Sequence, residues 1–265
     1  MPLCGPGMTW IHGADFVHFA RAGYLIACGH GKENLIGRNA SSPSETLGLS
    51  SNIYQMTLRI PVAVGVDVGG RRKGFHAIAL RGRRFLGKFE SPDPHAVVNW
   101  IRSMDARAVG VDAPCRWSTT GRARQAEREL MRSGIGCFSS PTLAKAQSHP
   151  SDYYGWMLNG AALFALLEQN EYHLFVGTTM PLTQRFCFET FPQAVACALA
   201  GEIVSAKRKA TVRRNILRAA GIELAPFVNI DLVDAALCAV TANAVLKGRF
   251  DSYGDKTEGH ILVPA

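Results

Sequence analysis

The stretch that decides the fold class is Val62–Val68, which reads VAVGVDV and is followed at once by Gly69 and Gly70. Its residues are almost all apolar and mostly β-branched, a pattern typical of a strand that is covered on both faces of a sheet. The two glycines permit a tight turn directly after the strand. Asp67 is the one charged residue of this stretch, and a charge inside such a strand needs a partner or a function.

The residues that follow predict a three-stranded meander and then a return to the first strand. Residues 75–80 and 85–89 read as the second and third strands, joined by a short turn around Gly82. Asp93 followed by proline predicts a helix N-terminus, and residues 108–111 predict a fourth strand that ends at Asp112. A right-handed crossover through the helix brings this fourth strand back parallel to the first.

The rest of the chain alternates between helical and strand-like segments. Helical patterns cover residues 122–133, 156–169, 193–204, 207–220 and 231–246, a loop covers 137–150, and short strands are predicted at 186–188 and 260–263. We therefore predict an α/β fold with a mixed sheet and a strand-strand-strand-helix-strand core. Helices flank this sheet, and residues 56–265 form a single domain.

The residues before Met56 differ from the rest of the chain in charge and pattern. Residues 1–55 hold three basic and three acidic side chains, whereas residues 56–265 carry the whole formal net charge of +8. Two interpretations of residues 1–55 stay open: an upstream extension ahead of a true start at Met56, or a disordered N-terminal tail. The basic excess in residues 56–265 favours a polyanionic partner such as nucleic acid.

The seven cysteines are widely spaced and include no C-x-x-C pair, which argues against a disulfide framework and a cysteine-rich zinc site. Reduced thiols indicate a cytoplasmic protein.

No apolar run reaches the roughly 18 residues that a membrane helix needs, so we expect no membrane span. The histidines do not have metal-binding spacing either, and we expect no metal-binding set among them.

Five acidic residues stand where acids are costly. Asp67 and Asp112 lie on two predicted parallel strands, and Glu189 follows a third strand. Asp231 and Asp234 lie three residues apart in an apolar helix, and therefore on one face of it. Carboxylates that converge need a cation between them, and oxygen ligands favour Mg²⁺ or Mn²⁺ over zinc. Two such ions roughly 4 Å apart can hydrolyse phosphodiester bonds.

Each acid also has a local explanation that needs no metal. Asp67 before two glycines is a good turn former, and Asp112 before Ala-Pro is suited to capping the next loop. Asp231 has the position of a helix N-cap. An ion pair with Arg185, or with an arginine from elsewhere in the chain, would explain Glu189.

Several phrases of the sequence resemble a known family. They extend from about Val64 to Pro264 and read GVDVGGRRKGFHAIAL, VGVDAPCRW, AERELMRSGIGCF, FETFPQA, AKRKATVRRNILRAAGI, VDAALCAVTA and EGHILVP. The family is domain of unknown function 429, whose members are described as predicted nucleases with a ribonuclease H-like fold. In that superfamily an acid lies on the first strand, another near the end of the fourth, and one or two on a late helix. The D-x-x-D spacing most resembles the Holliday-junction resolvase branch.

The resemblance implies a nuclease centred on the acids. The predicted metal ligands are Asp67, Asp112 and Asp234. Asp231 or Glu189 would complete the ligand shell or orient the attacking water. All five acids are thus predicted catalytic residues of an Mg²⁺- or Mn²⁺-dependent hydrolase that acts on nucleic acid.

The same resemblance points to three basic residues, Arg128, Lys207 and Arg208. With Arg71 they are the predicted contacts to substrate phosphates. A solvated helix face is the alternative explanation for any one of these cations.

Two other functions fit parts of the sequence. The phrase GVDVGGRRKG resembles the phosphate-binding hairpin of actin-like ATP-binding phosphotransferases, but Arg71 replaces the usual threonine and no later glycine-rich adenosine loop appears.

A non-catalytic nucleic-acid-binding protein would use basic clusters and aromatic side chains instead. The basic clusters are residues 71–73, 81–84 and 207–218, and the aromatic residues are Trp117, Tyr153, Tyr154 and Trp156. Core packing is the alternative explanation for Trp156.

A cysteine nucleophile is a further alternative. Cys115 follows the turn after Asp112, and His149 would serve as its base. A small buried thiol explains Cys115 without any catalytic role.

Overall fold

The computed structural model describes residues 60–175, 177 and 184–265, and the predicted N-terminal extension, residues 1–55, lies outside them. The strands in the described part are β1 (Val62–Val68), β2 (Phe75–Arg81), β3 (Arg84–Ser91), β4 (Ala106–Asp112), β5 (Tyr172–Leu174), β6 (Arg185–Thr190), β7 (Phe250–Asp255) and β8 (Gly259–Pro264). The helices there are α1 (Pro94–Ser103), α2 (Gln125–Arg132), α3 (Leu143–Gln147), α4 (Gly155–Gln169), α5 (Pro192–Ala200), α6 (Lys209–Ala219) and α7 (Ile230–Val245). Two 3₁₀ turns cover Asp152–Tyr154 and Ala206–Arg208.

The strands form one mixed sheet in the order β3-β2-β1-β4-β6-β8-β7, and β5 pairs beside β6. The pairs β1–β4, β4–β6, β5–β6 and β6–β8 are parallel. By contrast, β2 is antiparallel to both β1 and β3, and β7 is antiparallel to β8. The predicted α/β class, with a mixed sheet flanked by helices, is confirmed. The predicted strand-strand-strand-helix-strand order of the first half is confirmed as well.

The residues of β1 alternate between two helical layers. Val62, Val64 and Val66 pack into a buried cluster with side chains of α1 and α4. The residues between them face α7, whose backbone lies against Gly65. Burial on both faces explains why the strand reads as a near-continuous apolar run. It also places Asp67, two residues after Gly65, on the α7 face.

The structure differs from the predicted elements in several places. Residues 137–150 are not all loop, because α3 occupies Leu143–Gln147 and is capped by Thr142. The helix predicted from residue 207 begins instead with the 3₁₀ turn Ala206–Arg208, and α6 follows it. β5 and β7 were not predicted, since β5 has three residues and β7 reads FDSYGD, which lacks a strand-like pattern. The predicted closing strand at 260–263 is confirmed as part of β8.

Among the described helices, none combines the length and the apolar character that crossing a membrane requires. The cysteines of the described residues are all free thiols, as the wide spacing predicted.

Candidate metal centre

Two aspartates stand side by side at the carboxyl ends of two parallel strands. Asp67 of β1 pairs in register with Asp112 of β4, and Gly65 pairs with Gly110 two residues earlier. The tripeptide Gly-Val-Asp therefore occurs at the same level in both strands. Because side chains alternate along a strand, both aspartates lie on the face of the sheet that α7 covers.

The paired glycines let α7 lie directly on the sheet. A Cβ atom on Gly65 would come within 2.0 Å of the Ala235 carbonyl oxygen, and one on Gly110 within 2.8 Å of the Cys238 carbonyl oxygen. No side chain fits between the helix backbone and these strands. The close approach carries the first turn of α7 to the strand ends where the aspartates lie.

Asp231 and Asp234 reach this point from the beginning of α7. The helix N-cap is Asn229, whose side-chain oxygen accepts a hydrogen bond from the Leu232 amide at 2.8 Å. The alternative that Asp231 caps the helix is therefore wrong, and its carboxylate is available to face the strands. The negative charges of Asp231 and Asp234 both raise the pKa of Asp67.

His76 joins two of these aspartates. It lies opposite Asp67 in the β1–β2 register. Its Nδ1 is 3.8 Å from Asp67 Oδ2, and its Nε2 is 3.9 Å from Asp231 Oδ2. One ligand atom from each of the three residues lies within 4.8 Å of the other two. The His76 ring is buried, and Nδ1 has no hydrogen-bond partner among the described residues.

The expectation that the histidines form no metal-binding set among themselves did not anticipate that one of them, His76, lies beside two aspartates. Strand pairing, rather than spacing along the sequence, brings His76 to Asp67. The sequence signal was the hairpin itself, because a seven-residue register between β1 and β2 fixes which residue lies opposite Asp67.

Lys73 lies among the same carboxylates. Its Nζ is 2.6 Å from Asp231 Oδ1 and 3.9 Å from Asp67 Oδ2. Half of the Lys73 side chain is exposed, whereas the two aspartates are largely buried. The ammonium group is therefore a half-exposed counter-charge at the outer side of the cluster.

Asp234 is held by cations of α6 instead. Arg213 forms a buried ion pair with Asp234 Oδ1 and donates to Gln193 Oε1 at 3.1 Å. Lys209 Nζ lies 3.8 Å from Asp234 Oδ2. The predicted ligand set of Asp67, Asp112 and Asp234 stays a prediction: the residues whose ligand atoms lie within 4.8 Å of one another are Asp67, His76 and Asp231, and Asp234 is paired with Arg213.

Burial and mutual repulsion raise the pKa of the central acids. The pKa of Asp67 rises to about 7, first through burial and then through the charge of Asp234, while Lys73 opposes the rise. Burial, followed by the charge of Asp67, raises the pKa of Asp112 well above its usual range. A cation bound among these carboxylates would relieve both effects.

Glu189 belongs to a separate ion pair. It lies beside Val111 rather than beside Asp112 in the β4–β6 register, so its side chain emerges on the opposite face of the sheet. Arg124 Nη2 donates to Glu189 Oε1 at 2.6 Å, and Nη1 donates to Oε2 at 2.9 Å. The Cys115 amide also donates to Oε2 at 2.9 Å.

These contacts give Glu189 a structural role, and its predicted role as a catalytic acid that completes the ligand shell stays a prediction. Both of its oxygens are engaged, and they hold the segment that follows β4. The alternative that Glu189 pairs with an arginine from elsewhere in the chain is confirmed: the partner is the buried Arg124, whereas Arg185 pairs with Asp105 at 2.7 Å.

The four predicted phosphate contacts lie outside the carboxylate cluster. Arg71 is exposed and lies 3.8 Å from Asp152. Arg128 is exposed and donates to the Ala123 carbonyl oxygen, and Lys207 and Arg208 are exposed in the 3₁₀ turn before α6. The cations that do contact the acids were missed, although they lie in the same segments. They are Lys73, Arg124, Lys209 and Arg213.

The Cys115 nucleophile is not favoured by its surroundings. Burial, followed by the charge of Glu189, raises the pKa of the Cys115 thiol well above its usual range. The proposed base, His149, packs against the rings of Tyr153 and Tyr154. A neutral buried thiol accounts for Cys115.

A family model described as "Protein of unknown function (DUF429)" matches residues 65–259, which span the sheet from β1 to β8 and all the acids described above. The chain belongs to the DUF429 family. None of the curated proteins matches the chain.

The donor set of this DUF429 chain suits a divalent cation. Asp67, Asp231 and His76 offer two carboxylates and one imidazole. His76 Nδ1 has no hydrogen-bond partner among the described residues, so its lone pair is available to a ligand. Carboxylate oxygens are ligands for Mg²⁺ and Mn²⁺, and an imidazole nitrogen favours the softer Mn²⁺ of the two. The three residues therefore fit a metal ion chemically.

Proposed function

We propose that this protein is a nuclease that hydrolyses phosphodiester bonds with a divalent metal ion, on a ribonuclease H-like fold. The observation that carries the proposal is the convergence of Asp67, His76 and Asp231 at the carboxyl edge of the sheet, with Asp112 beside them. Buried carboxylates with raised pKa values that converge at a strand end support a functional site.

The topology supports the ribonuclease H-like assignment. Three antiparallel strands are followed by a helix and by a fourth strand that runs parallel to the first. Acids lie on the first strand, at the end of the fourth strand and at the beginning of a late helix. Those are the places where the superfamily carries its acids.

Mn²⁺ or Mg²⁺ would be held by Asp67, Asp231 and His76. When bound, such an ion polarises a phosphate oxygen and lowers the pKa of a bound water. Asp112 lies next to Asp67, and once a bound cation has lowered its raised pKa, its carboxylate would accept a proton from the attacking water. Lys73 and Lys209 are half exposed and have the reach to contact the phosphate that faces the cluster.

The charge balance favours one divalent ion over two. When a bound cation keeps all four aspartates of the cluster ionised, they carry four negative charges, and Lys73, Lys209 and Arg213 offset three of them. Arg213 is buried against Asp234, so the charge of Asp234 is already paired without a second metal ion. We therefore expect a stoichiometry of one metal ion per chain.

The test is cleavage of a panel of single-stranded, branched and hybrid nucleic acids by the purified protein with Mn²⁺. We expect cleavage of at least one substrate, and its loss in Asp67→Asn. Asp105→Asn is the matched control. Asp105 is exposed, pairs with Arg185 and precedes β4, whereas Asp112 lies at the other end of that strand. The absence of cleavage across the panel, together with no Mn²⁺ binding by calorimetry, would contradict the proposal.

The same experiment separates the two alternatives. A non-catalytic nucleic-acid-binding protein would bind the panel without cleaving it, and Asp67→Asn would leave or strengthen that binding. An actin-like phosphotransferase would release phosphate from ATP and leave the nucleic acids intact.

A further inference from the structure

We propose that a site for unpaired nucleobases borders the carboxylate cluster, so that the substrate is single-stranded nucleic acid. This inference rests on the proposed nuclease function for its substrate class. The site consists of two groups of contacting rings, Phe138 with Trp156 and His149 with Tyr153 and Tyr154, which we call the aromatic belt.

The belt is attached to both strand ends that carry the central aspartates. Asn159 Nδ2 of α4 donates to the Gly69 carbonyl oxygen at 2.8 Å, just after β1. A Cβ atom on Gly160 would lie 2.2 Å from Ala113 Cβ, just after β4. The beginning of α4 is thus pressed against both acid-bearing loops. Tyr153, Tyr154 and Trp156 lie within two helical turns of Asn159 and Gly160 along the chain.

Phe138 and Trp156 form the end of the belt nearest Asp112. Their ring centroids are 6.4 Å apart with an angle of 62° between the planes. Both residues line a cleft that Asp112 and Glu189 also line. The Phe138 side chain is 66% exposed, although it is large and apolar. An exposed ring at the mouth of a cleft that contains a predicted catalytic acid points to a ligand with an apolar face.

Tyr153 forms the other end of the belt. Tyr154 meets it edge-on, with ring centroids 4.8 Å apart, and His149 meets Tyr154 edge-on at 5.1 Å. These contacts hold the rings in place, yet Tyr153 is still 55% exposed. A ring that is fixed and exposed loses little conformational entropy when a base stacks on it.

Cations accompany the rings. Arg71 is 79% exposed and lies 3.8 Å from Asp152, the residue before Tyr153. Arg72 and Lys145 are exposed in the adjoining turn and in α3. A belt of rings flanked by cations complements bases joined by phosphates, and each stacked base contributes about 1–3 kcal/mol by alanine substitution.

The arrangement favours unpaired over paired strands. In a duplex the base faces are stacked on one another, and only base edges and phosphates are presented to a protein. Rings have no stacking partner there. Single strands, loops and frayed ends expose base faces to the belt.

The test measures binding of a fluorescein-labelled 12-residue deoxythymidine oligonucleotide by anisotropy, with the full chain in EDTA so that no metal-dependent cleavage occurs. We expect Phe138→Ala and Tyr153→Ala each to weaken binding by roughly 5- to 150-fold. Tyr153→Phe retains the ring and should stay within about twofold of the parent protein. A labelled duplex of the same length should bind the parent and the alanine variants alike. Melting temperatures establish that the variants are folded.

The outcomes separate this inference from the nuclease proposal. Equal affinity of the alanine variants for the single strand, or an equal loss for the duplex, would overturn the base site. Ring-dependent binding without Mn²⁺-dependent cleavage would remove the nuclease function and leave the base site standing. Cleavage with ring-independent binding would remove the base site alone.

Discussion

Lys73 Nζ lies 2.6 Å from Asp231 Oδ1, so an ammonium group stands where the proposed metal ligands converge. The side chain comes from the turn between β1 and β2, which begins at Gly69 and is closed by a hydrogen bond from the Gly69 amide to the Gly74 carbonyl oxygen. The cluster thus contains a tethered cation that competes with any ion from solution.

Lys73→Met should bind Mn²⁺ more tightly than the parent protein. Removing the ammonium leaves Asp231 and Asp67 without their nearest counter-charge, and we expect an affinity gain on the order of tenfold, or about 1.4 kcal/mol. Calorimetric titration with Mn²⁺ measures it. Lys247→Met, in the exposed segment after α7, is the matched control and should change nothing. A weaker affinity in Lys73→Met would contradict the assignment of Lys73 as a competitor.

The stability of the metal-free protein should fall as pH rises from about 4 to about 7. The folded-state pKa of Asp67 is raised to about 7, so the folded protein holds a proton that the unfolded chain releases near pH 3.9. The contribution is fully present below the unfolded pKa and is lost as pH rises through 7, because stability follows the difference in bound protons. Denaturant titrations in EDTA at several pH values measure this slope.

Asp67→Asn removes the group and should reduce that slope, leaving the part that comes from the raised pKa of Asp112. At pH 8 we expect this variant to be more stable than the parent protein in EDTA, by on the order of a few kcal/mol. Added Mn²⁺ should stabilise the parent and leave the variant unchanged. Asp105→Asn, whose carboxylate is exposed, should follow the parent in both tests. An identical pH dependence in the parent and Asp67→Asn would show that Asp67 does not carry the proton.

His76→Ala should reduce both metal affinity and metal selectivity. The variant keeps two carboxylates but loses the imidazole nitrogen, and we expect Mn²⁺ to bind at least about tenfold more weakly. The affinity for Mg²⁺ should fall by a smaller factor, since Mg²⁺ makes little use of nitrogen ligands. Titrations with each ion measure the ratio. His95→Ala, on the exposed side of α1, is the control. Equal losses for the two ions would argue against direct coordination by His76.

The acids of this site were predictable because their positions follow from local patterns. A carboxylate inside a β-branched run, as at Asp67, stands out in the sequence, and the parallel return of β4 places Asp112 beside it. The three-residue spacing of Asp231 and Asp234 fixes their shared helix face. Each of these inferences needs only the period of one element and one crossover rule.

The partners of the acids were not predictable in the same way. His76 reaches Asp67 through cross-strand register, and Arg124 reaches Glu189 from 65 residues away. Arg128, which lies on the same helix as Glu127, was predicted instead of Arg124, because nothing local distinguishes a buried arginine from a solvated one. Tertiary packing alone decides which arginine is desolvated and paired.

The paired glycines Gly65 and Gly110 offer a test of how the cluster is assembled. In Gly65→Ala the new Cβ would lie 2.0 Å from the Ala235 carbonyl oxygen and 2.1 Å from the Ala239 amide nitrogen. Both atoms belong to the α7 backbone, so the helix has to shift as a unit. We expect a loss of about 3 kcal/mol or more in the free energy of unfolding, measured by denaturant titration. Mn²⁺ affinity should fall as well, because the shift moves Asp231 away from Asp67.

Gly136→Ala is the matched control, because a Cβ atom there would meet nothing within 4 Å. It should change the free energy of unfolding by no more than about 0.5 kcal/mol. If Gly65→Ala is equally neutral, α7 does not rest on the β1 backbone and the helix acids are not delivered by that contact. If Gly65→Ala is destabilised but binds Mn²⁺ like the parent protein, the position of Asp231 does not depend on it. Only the combined loss of stability and affinity supports the glycine contact as the feature that brings the helix acids to the strand acids.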